Sequence, residues 1–246
     1  NAAYISSDSD IAPDGPAFRR YVTVRLSHRH DEKHANRQGD HSKVLEVAAG
    51  QSHSVLACYD GNVYACGAND RGQLGVGDRT PRKLPTVVDF GKDTEVEEQP
   101  LYQAIVKTDR LFSERVVIIA VACGVFHSGA ISTNGSCYTW GDNASGKLGL
   151  GAEIKSVDVP TRVALDDVLV LHLACGNEHT LAAGVRHDTR RTSVLYAWGH
   201  RINGALGLPP SWKAAGGERT HAHDMSDLVP VYEPAEVEAQ RGVIVR

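Results

Sequence analysis

The 246-residue chain contains no apolar stretch approaching the roughly 18 to 20 residues that a membrane-spanning helix requires. Its first thirty residues also lack a basic start followed by an apolar run, the mark of a secretory leader. These absences predict an intracellular protein, cytoplasmic or nuclear, that is not secreted. Aromatic residues make up only 6% of the chain and helix-period patterning is scarce, which argues against a helical bundle. An excess of basic charge is missing too. With 26 Lys and Arg against 30 Asp and Glu, the net charge of −4 provides no general attraction to nucleic acid, so this segment is expected to bind none. The cysteines, Cys58, Cys66, Cys123, Cys137 and Cys175, are odd in number and have no Cys-x-x-Cys spacing. Each lies in a small apolar run, where a reduced core thiol is expected.

What the sequence does have is glycine, 24 residues that punctuate short Val, Ile, Leu and Ala runs and so predict many short strands. Internal repetition organises them. Three copies align, starting at Val47, Val121 and Leu173, and the third is interrupted and resumes at Val194. A Gly-x-x-His element falls at Gly50/His53, Gly124/His127 and Gly176/His179, and a strand ends at Gly67, Gly141 and Gly199. A Leu-Gly pair follows eight residues later each time, ending at Gly75, Gly149 and Gly207. From His to the strand-ending glycine is fourteen, fourteen and twenty residues, so the third copy carries six extra in one loop.

Local chemistry divides each copy into four strands. Ile118–Ala122 is apolar throughout and Leu45–Ala49 is apolar but for Glu46, as expected of inner strands covered on both sides. Ser54–Cys58 and Val63–Cys66 flank Asp60-Gly61, and Asn134-Gly135 stands at the same place in the second copy; both pairs suit the positive φ of a tight hairpin turn. A final strand is expected at Pro85–Val88, Pro160–Val163 and Pro234–Val237. The two glycosylation sequons, Asn134-Gly-Ser136 and Asn143-Ala-Ser145, fall in turns.

The ordered series Gly-x-x-His, Asp/Asn-Gly, Tyr-x-Trp-Gly, Gly-x-Leu-Gly and Pro-x-x-Val closely resembles the regulator of chromosome condensation repeat. Trp140 and Trp198 stand at the Trp position, and Cys66 replaces it in the first copy. The resemblance implies a β-propeller of four-stranded antiparallel blades, seven in a complete member of the family. Neither a Trp-Asp repeat nor a kelch glycine pair is present.

The expected organisation is a segment 1–43 with a candidate strand at Tyr21–Leu26 and a polar, His-rich loop, then a blade at 44–88, an insertion at 89–115 and a blade at 116–163. A third blade at 164–237 carries insertions near 185–193 and 209–228, and residues 238–246 begin a further blade. Three blades do not close a ring, because each blade buries its faces against neighbours. The remaining blades are therefore expected from the same chain or from an assembly.

Several features imitate reactive sites. Gly141 to Lys147 fits Gly-x-x-x-x-Gly-Lys, but Leu148 stands where a phosphate-binding loop needs Ser or Thr, and the same loop recurs without Lys at Gly67–Gln73 and Gly199–Ala205. His53, His127 and His179 occupy equivalent places in successive blades and are expected to bond neighbouring backbone rather than a shared metal. No nucleophile elbow, zinc-protease or kinase motif is present, and no cofactor, metal or catalytic residue is expected.

Function is expected in the departures from the repeat, since loops vary without disturbing a stacked core. The candidate partner-binding residues are Glu95, Glu97 and Glu98 in the first insertion, and Arg186, His187, Asp188, Arg190 and Arg191 in the third copy's hairpin. These predict a non-catalytic scaffold for protein partners. The family resemblance implies two alternatives, guanine-nucleotide exchange on a Ran-like small GTPase and chromatin binding through a propeller face.

Overall fold

A computed structural model describes residues 43–91, 116–165, 167–187, 192–208 and 231–237, which form twelve strands and one short 3-10 turn at Ile202–Gly204. The first sheet contains β1 (Val44–Ala49), β2 (His53–Cys58), β3 (Val63–Gly67) and β4 (Arg82–Val88). The second contains β5 (Ile118–Cys123), β6 (His127–Ser132), β7 (Cys137–Asp142) and β8 (Ser156–Arg162). The third contains β9 (Val168–Cys175), β10 (His179–Arg186), β11 (Ser193–Gly199) and β12 (Val231–Glu236). All three sheets are antiparallel, with strand order following chain order. The protein is thus all-β, as the repeats predict. Strands β1 and β2 pack on β5, and β5 and β6 pack on β9, so successive sheets stack as propeller blades with their first strands innermost.

The turn chemistry follows the sequence. Gly61 and Gly135 adopt φ of 79° and 78°, and the Asp60 and Asn134 side chains accept from the backbone two residues on, at 3.1 Å each. The fourth strands are longer than expected, beginning at Arg82, Ser156 and Val231 because these residues still pair with Gly67, Asp142 and Gly199 at the sheet end. Residues preceding proline favour extended backbone, which continues the strand ahead of Pro85, Pro160 and Pro234. The expected strand at Tyr21–Leu26 and the expected start of a further blade at 238–246 lie outside the described residues.

The core lies in the seams between sheets. One cluster joins Val55, Ala57, Val63 and Leu74 of the first blade to Ile118, Val121, Tyr138 and Trp140 of the second. Another joins Ile131, Cys137 and Val163 of the second to Val170, Ala182, Trp198 and Val231 of the third. Phe90 leaves the first blade and stands edge-on to Tyr138 and Trp140, with centroids 5.5 and 5.6 Å apart. The middle blade shows the result: β6 and β7 are buried at every position, whereas β1 is exposed at five of six.

Seam packing also explains the loop between the third and fourth strands. Gly146 (φ 74°) lies so close to β12 that a Cβ would meet the Val231 carbonyl oxygen at 2.7 Å, while the equivalent Gly204 (φ 72°) has nothing within 4 Å. Both substitutions to Ala incur the same positive-φ strain, and only the first adds a clash. Gly146→Ala is therefore expected to lower the unfolding free energy from urea titration more than Gly204→Ala, by roughly a further 1 to 3 kcal/mol. Equal losses would show that the seam yields freely at this point.

Candidate functional site

The polar residues of the repeat converge between blades. His53 opens β2, and its Nε2 lies 2.9 Å from Ser128 Oγ on β6 of the next blade. Ser128 Oγ in turn donates to the Gln73 carbonyl of the first blade at 2.8 Å, and Trp140 Nε1 donates to the same oxygen at 2.9 Å. The second seam repeats the pattern. His127 Nε2 lies 2.9 Å from Thr180 Oγ1, which donates to the Lys147 carbonyl at 2.8 Å, and Trp198 Nε1 reaches that carbonyl at 2.9 Å. Each hydroxyl has one proton and gives it to the carbonyl, so it accepts from the imidazole, which fixes Nε2 as the protonated nitrogen. The histidines therefore bond the next blade's hydroxyl, correcting the expectation that they bond neighbouring backbone. The clasp spans sheets because the imidazole points across the seam.

Burial keeps these rings neutral. It lowers the His53 pKa to about 4, opposed by the backbone of His127, and lowers that of His127 to about 3, with the Lys147 charge acting in the same direction. His179, whose seam has no following blade among the described residues, is lowered by burial as well. Burial also raises the thiols, those of Cys58, Cys123 and Cys137 to about 12, and none of the five cysteines forms a disulfide. A protonated, buried thiol is a poor nucleophile. Among the described residues no group of three or more His, Cys, Asp or Glu is placed to hold a metal ion.

The lysine of the phosphate-loop look-alike is already engaged. Lys147 Nζ sits 2.8 Å from Asp142 Oδ2 and 2.7 Å from Glu178 Oε2, with its side chain 1% exposed. Ser145 Oγ also donates to Glu178, at 2.5 Å. Two carboxylates thus occupy the place where a phosphate would have to approach.

The loop framework is similarly self-contained. Asn69 Nδ2 donates to the Asp78 and Thr80 carbonyls while its Oδ1 accepts from Leu74 N–H, and Asn143 repeats this with Gly151, Ile154 and Leu148. Pro85, Pro160 and Pro234 interrupt the outermost strands β4, β8 and β12, removing a donor from each free edge. That weakens the outer edges as templates for an added peptide strand.

The two ends of the blades differ. Loops between first and second strands and between third and fourth strands share one end, where His53 pairs with Gly67. The hairpin turns and the links between blades share the other, where the Tyr59 N–H donates to Lys43 and the Thr133 N–H to Val117. Gly91 and Val116, which flank 92–115, belong to this turn end, as do His187 and Thr192, which flank 188–191. Glu95, Glu97, Glu98, Asp188, Arg190 and Arg191 lie outside the described residues. Arg186 belongs to β10 and forms an ion pair with Glu236 of β12, and Val185 pairs with Ser193, so the hairpin loop is narrower than the expected 185–193. His187 is exposed, and its backbone N–H donates to Asp167 in the link from the second blade. The departure at 209–228 is flanked by Leu208 and Val231, at the opposite, loop end.

Sequence reasoning excluded Lys147 as a phosphate ligand without finding its seam role, and it found no seam role for Ser128. The available signal was that Ser54, Ser128 and Thr180, all hydroxyls, directly follow the repeat histidine. No signal in the sequence linked Glu178 to Lys147, 31 residues away.

Models of the regulator of chromosome condensation (RCC1) repeat match residues 60–98 and 134–183, and a second model of that repeat matches 44–73 and 118–147. The probable E3 ubiquitin-protein ligase HERC6 of Homo sapiens is 31% identical over 168 residues, 66% of this chain and 13% of that protein. The ultraviolet-B receptor UVR8 of Arabidopsis thaliana is 28% identical over 216 residues, 86% of this chain and 42% of that protein. The chain thus spans less than half the length of either relative. Among solved structures, human WBSCR16 superposes with TM-score 0.54 at 24% identity, over 81% of this chain and 38% of that one. Yeast RCC1 (Prp20), solved with Kap60, gives 0.54 at 20% identity, over 80% and 37%. These two likenesses concern the fold.

The neutral histidines make stability depend on pH. Their folded pKa values lie below the unfolded value of about 6.5, so their contribution is complete above pH 6.5 and is lost as pH falls towards 4 for His53 and 3 for His127. Within that window each histidine should lower the folded-to-unfolded ratio by about tenfold per pH unit. Urea titrations from pH 8 to pH 4 are expected to show this fall. His127→Gln should reduce the slope, and an unchanged slope would remove His127 from the account.

Proposed function

Since the chain belongs to the regulator of chromosome condensation repeat family, we propose that it is a non-catalytic β-propeller scaffold that binds protein partners through its departures from the repeat. The observation carrying this reading is how the repeat uses its polar chemistry. Histidine, hydroxyl, indole and Lys147 are all bonded within the two seams, so partner recognition falls to residues outside the motif. Two of the three departures are flanked by residues at the turn end, one acidic (Glu95, Glu97, Glu98) and one basic (Arg190, Arg191). Segments that depart from a repeat are free to differ in sequence, which suits selective docking. Glu236 already holds Arg186, so a partner that used Arg186 would have to displace this ion pair.

Exchange on a Ran-like small GTPase is the second reading. A solved relative, Prp20p from Saccharomyces cerevisiae, is described with binding properties to Gsp1p and histones, and it shares the fold at TM-score 0.53. The same description supports histone or chromatin binding as a third reading. Exchange requires an element that displaces magnesium or phosphate contacts, and the described residues supply the platform for such an element.

Two measurements on the full-length protein separate these readings. A fluorescent-nucleotide release assay with a Ran-like GTPase is expected to show only the intrinsic rate, and clear acceleration would replace the scaffold reading with exchange. Arg190→Glu combined with Arg191→Glu is expected to deplete the partners captured with the parent protein, while Glu236→Gln retains them. An unchanged partner set would discard the hairpin as the binding site.

A further inference from the structure

The clasp of histidine, hydroxyl, carbonyl and indole is the same in both described seams, so it does not tell one following blade from another. Asp142, Lys147 and Glu178 do. At the Lys147 position the first blade has Gln73 and the third has Ala205; at the Asp142 position they have Ala68 and His200. Glu178 lies directly before the repeat histidine, where the first two blades have Ser52 and Phe126. The buried cation on the trailing side of the second blade has Asp142 of its own blade and therefore meets a second carboxylate, across the seam, only when the third blade follows it.

The surrounding charges make this choice costly to violate. Arg71 of the first blade lies 4.0 Å from Asp142, Asp142 lies 2.8 Å from Lys147, and Lys147 lies 2.7 Å from Glu178. Signs alternate along this series, and Asp70 lies a further 3.8 Å from Arg71. Replacing Glu178 by Ser or Phe removes the only one of these carboxylates that crosses this seam and leaves Lys147, almost fully buried, with Asp142 alone. Removing one partner of a buried ion pair is far more disruptive than never having had the pair. Repeat chains also misassemble characteristically, by pairing a blade with the wrong copy of its neighbour.

We propose that the Asp142–Lys147–Glu178 triad is an address that makes the third blade the matched follower of the second and disfavours the same contact with another copy of the repeat. Its contribution lies in discrimination during assembly, while the apolar seam and the clasp hold the blades once they are placed.

The test is refolding of the chain from urea at several protein concentrations, comparing the parent with Lys147→Gln and Glu178→Gln. Size-exclusion chromatography with light scattering measures the monomer fraction, and exchange of the Trp140 and Trp198 indole N–H reports the first and second seams separately. Both variants are expected to lose monomer recovery and to gain an oligomer that grows with protein concentration, with Trp198 in the recovered monomer as protected as in the parent. Recovery equal to the parent would overturn the proposal. So would loss of Trp198 protection without oligomer, because the triad would then only stabilise. Should Lys147→Gln fail to fold, Glu178→Gln decides alone, since its side chain is 34% exposed and the substitution leaves it room.

Discussion

The structure depends on one doubly used acceptor, the backbone carbonyl at Gln73 and again at Lys147, which receives a hydroxyl and an indole from the following blade. A carbonyl oxygen has two lone pairs, and in a buried seam both are satisfied here by the neighbour. The imidazole completes the arrangement by donating to that hydroxyl, which sets its tautomer and keeps it uncharged. The clasp closes between sheets, so the repeat motif encodes a relation between copies. That accounts for a core located in the seams and for a middle blade buried on both sides.

Much of this was legible in the sequence. Constant spacings between glycines located three of the four strands in each complete copy, because a turn that needs positive φ tolerates little besides Gly, Asn or Asp. Strand ends were less legible. Arg82 and Ser156 are polar and sit ahead of proline, so they read as loop, yet they pair with Gly67 and Asp142. The seam chemistry was hidden for another reason. Ser128 follows its own histidine in sequence but serves the histidine of the preceding blade, 75 residues away, and adjacency along the chain concealed the true partner. Lys147 showed its motif and not its surroundings, since Asp142 and Glu178 become neighbours only when two blades stack.

The division of labour between motif and departure follows from the same geometry. A residue committed to a seam is unavailable to a partner without opening the stack, and the clasp residues have little freedom to vary. Among the described residues, His187 beside the variable hairpin is exposed and gives its backbone N–H to Asp167, outside the seam clasp. Specificity can therefore change there while the scaffold stays the same. Arg186 marks the boundary: it stands beside the variable hairpin by sequence, but its ion pair to Glu236 assigns it to the sheet.

The prolines of β4, β8 and β12 matter before the chain is complete. Each blade acquires its outermost strand last in chain order, and that strand leaves the ribosome with a donor already missing from its open side. Nascent chains crowded along one messenger therefore meet as blunted sheets, poorly suited to zipping together, during the interval when later blades have yet to be made.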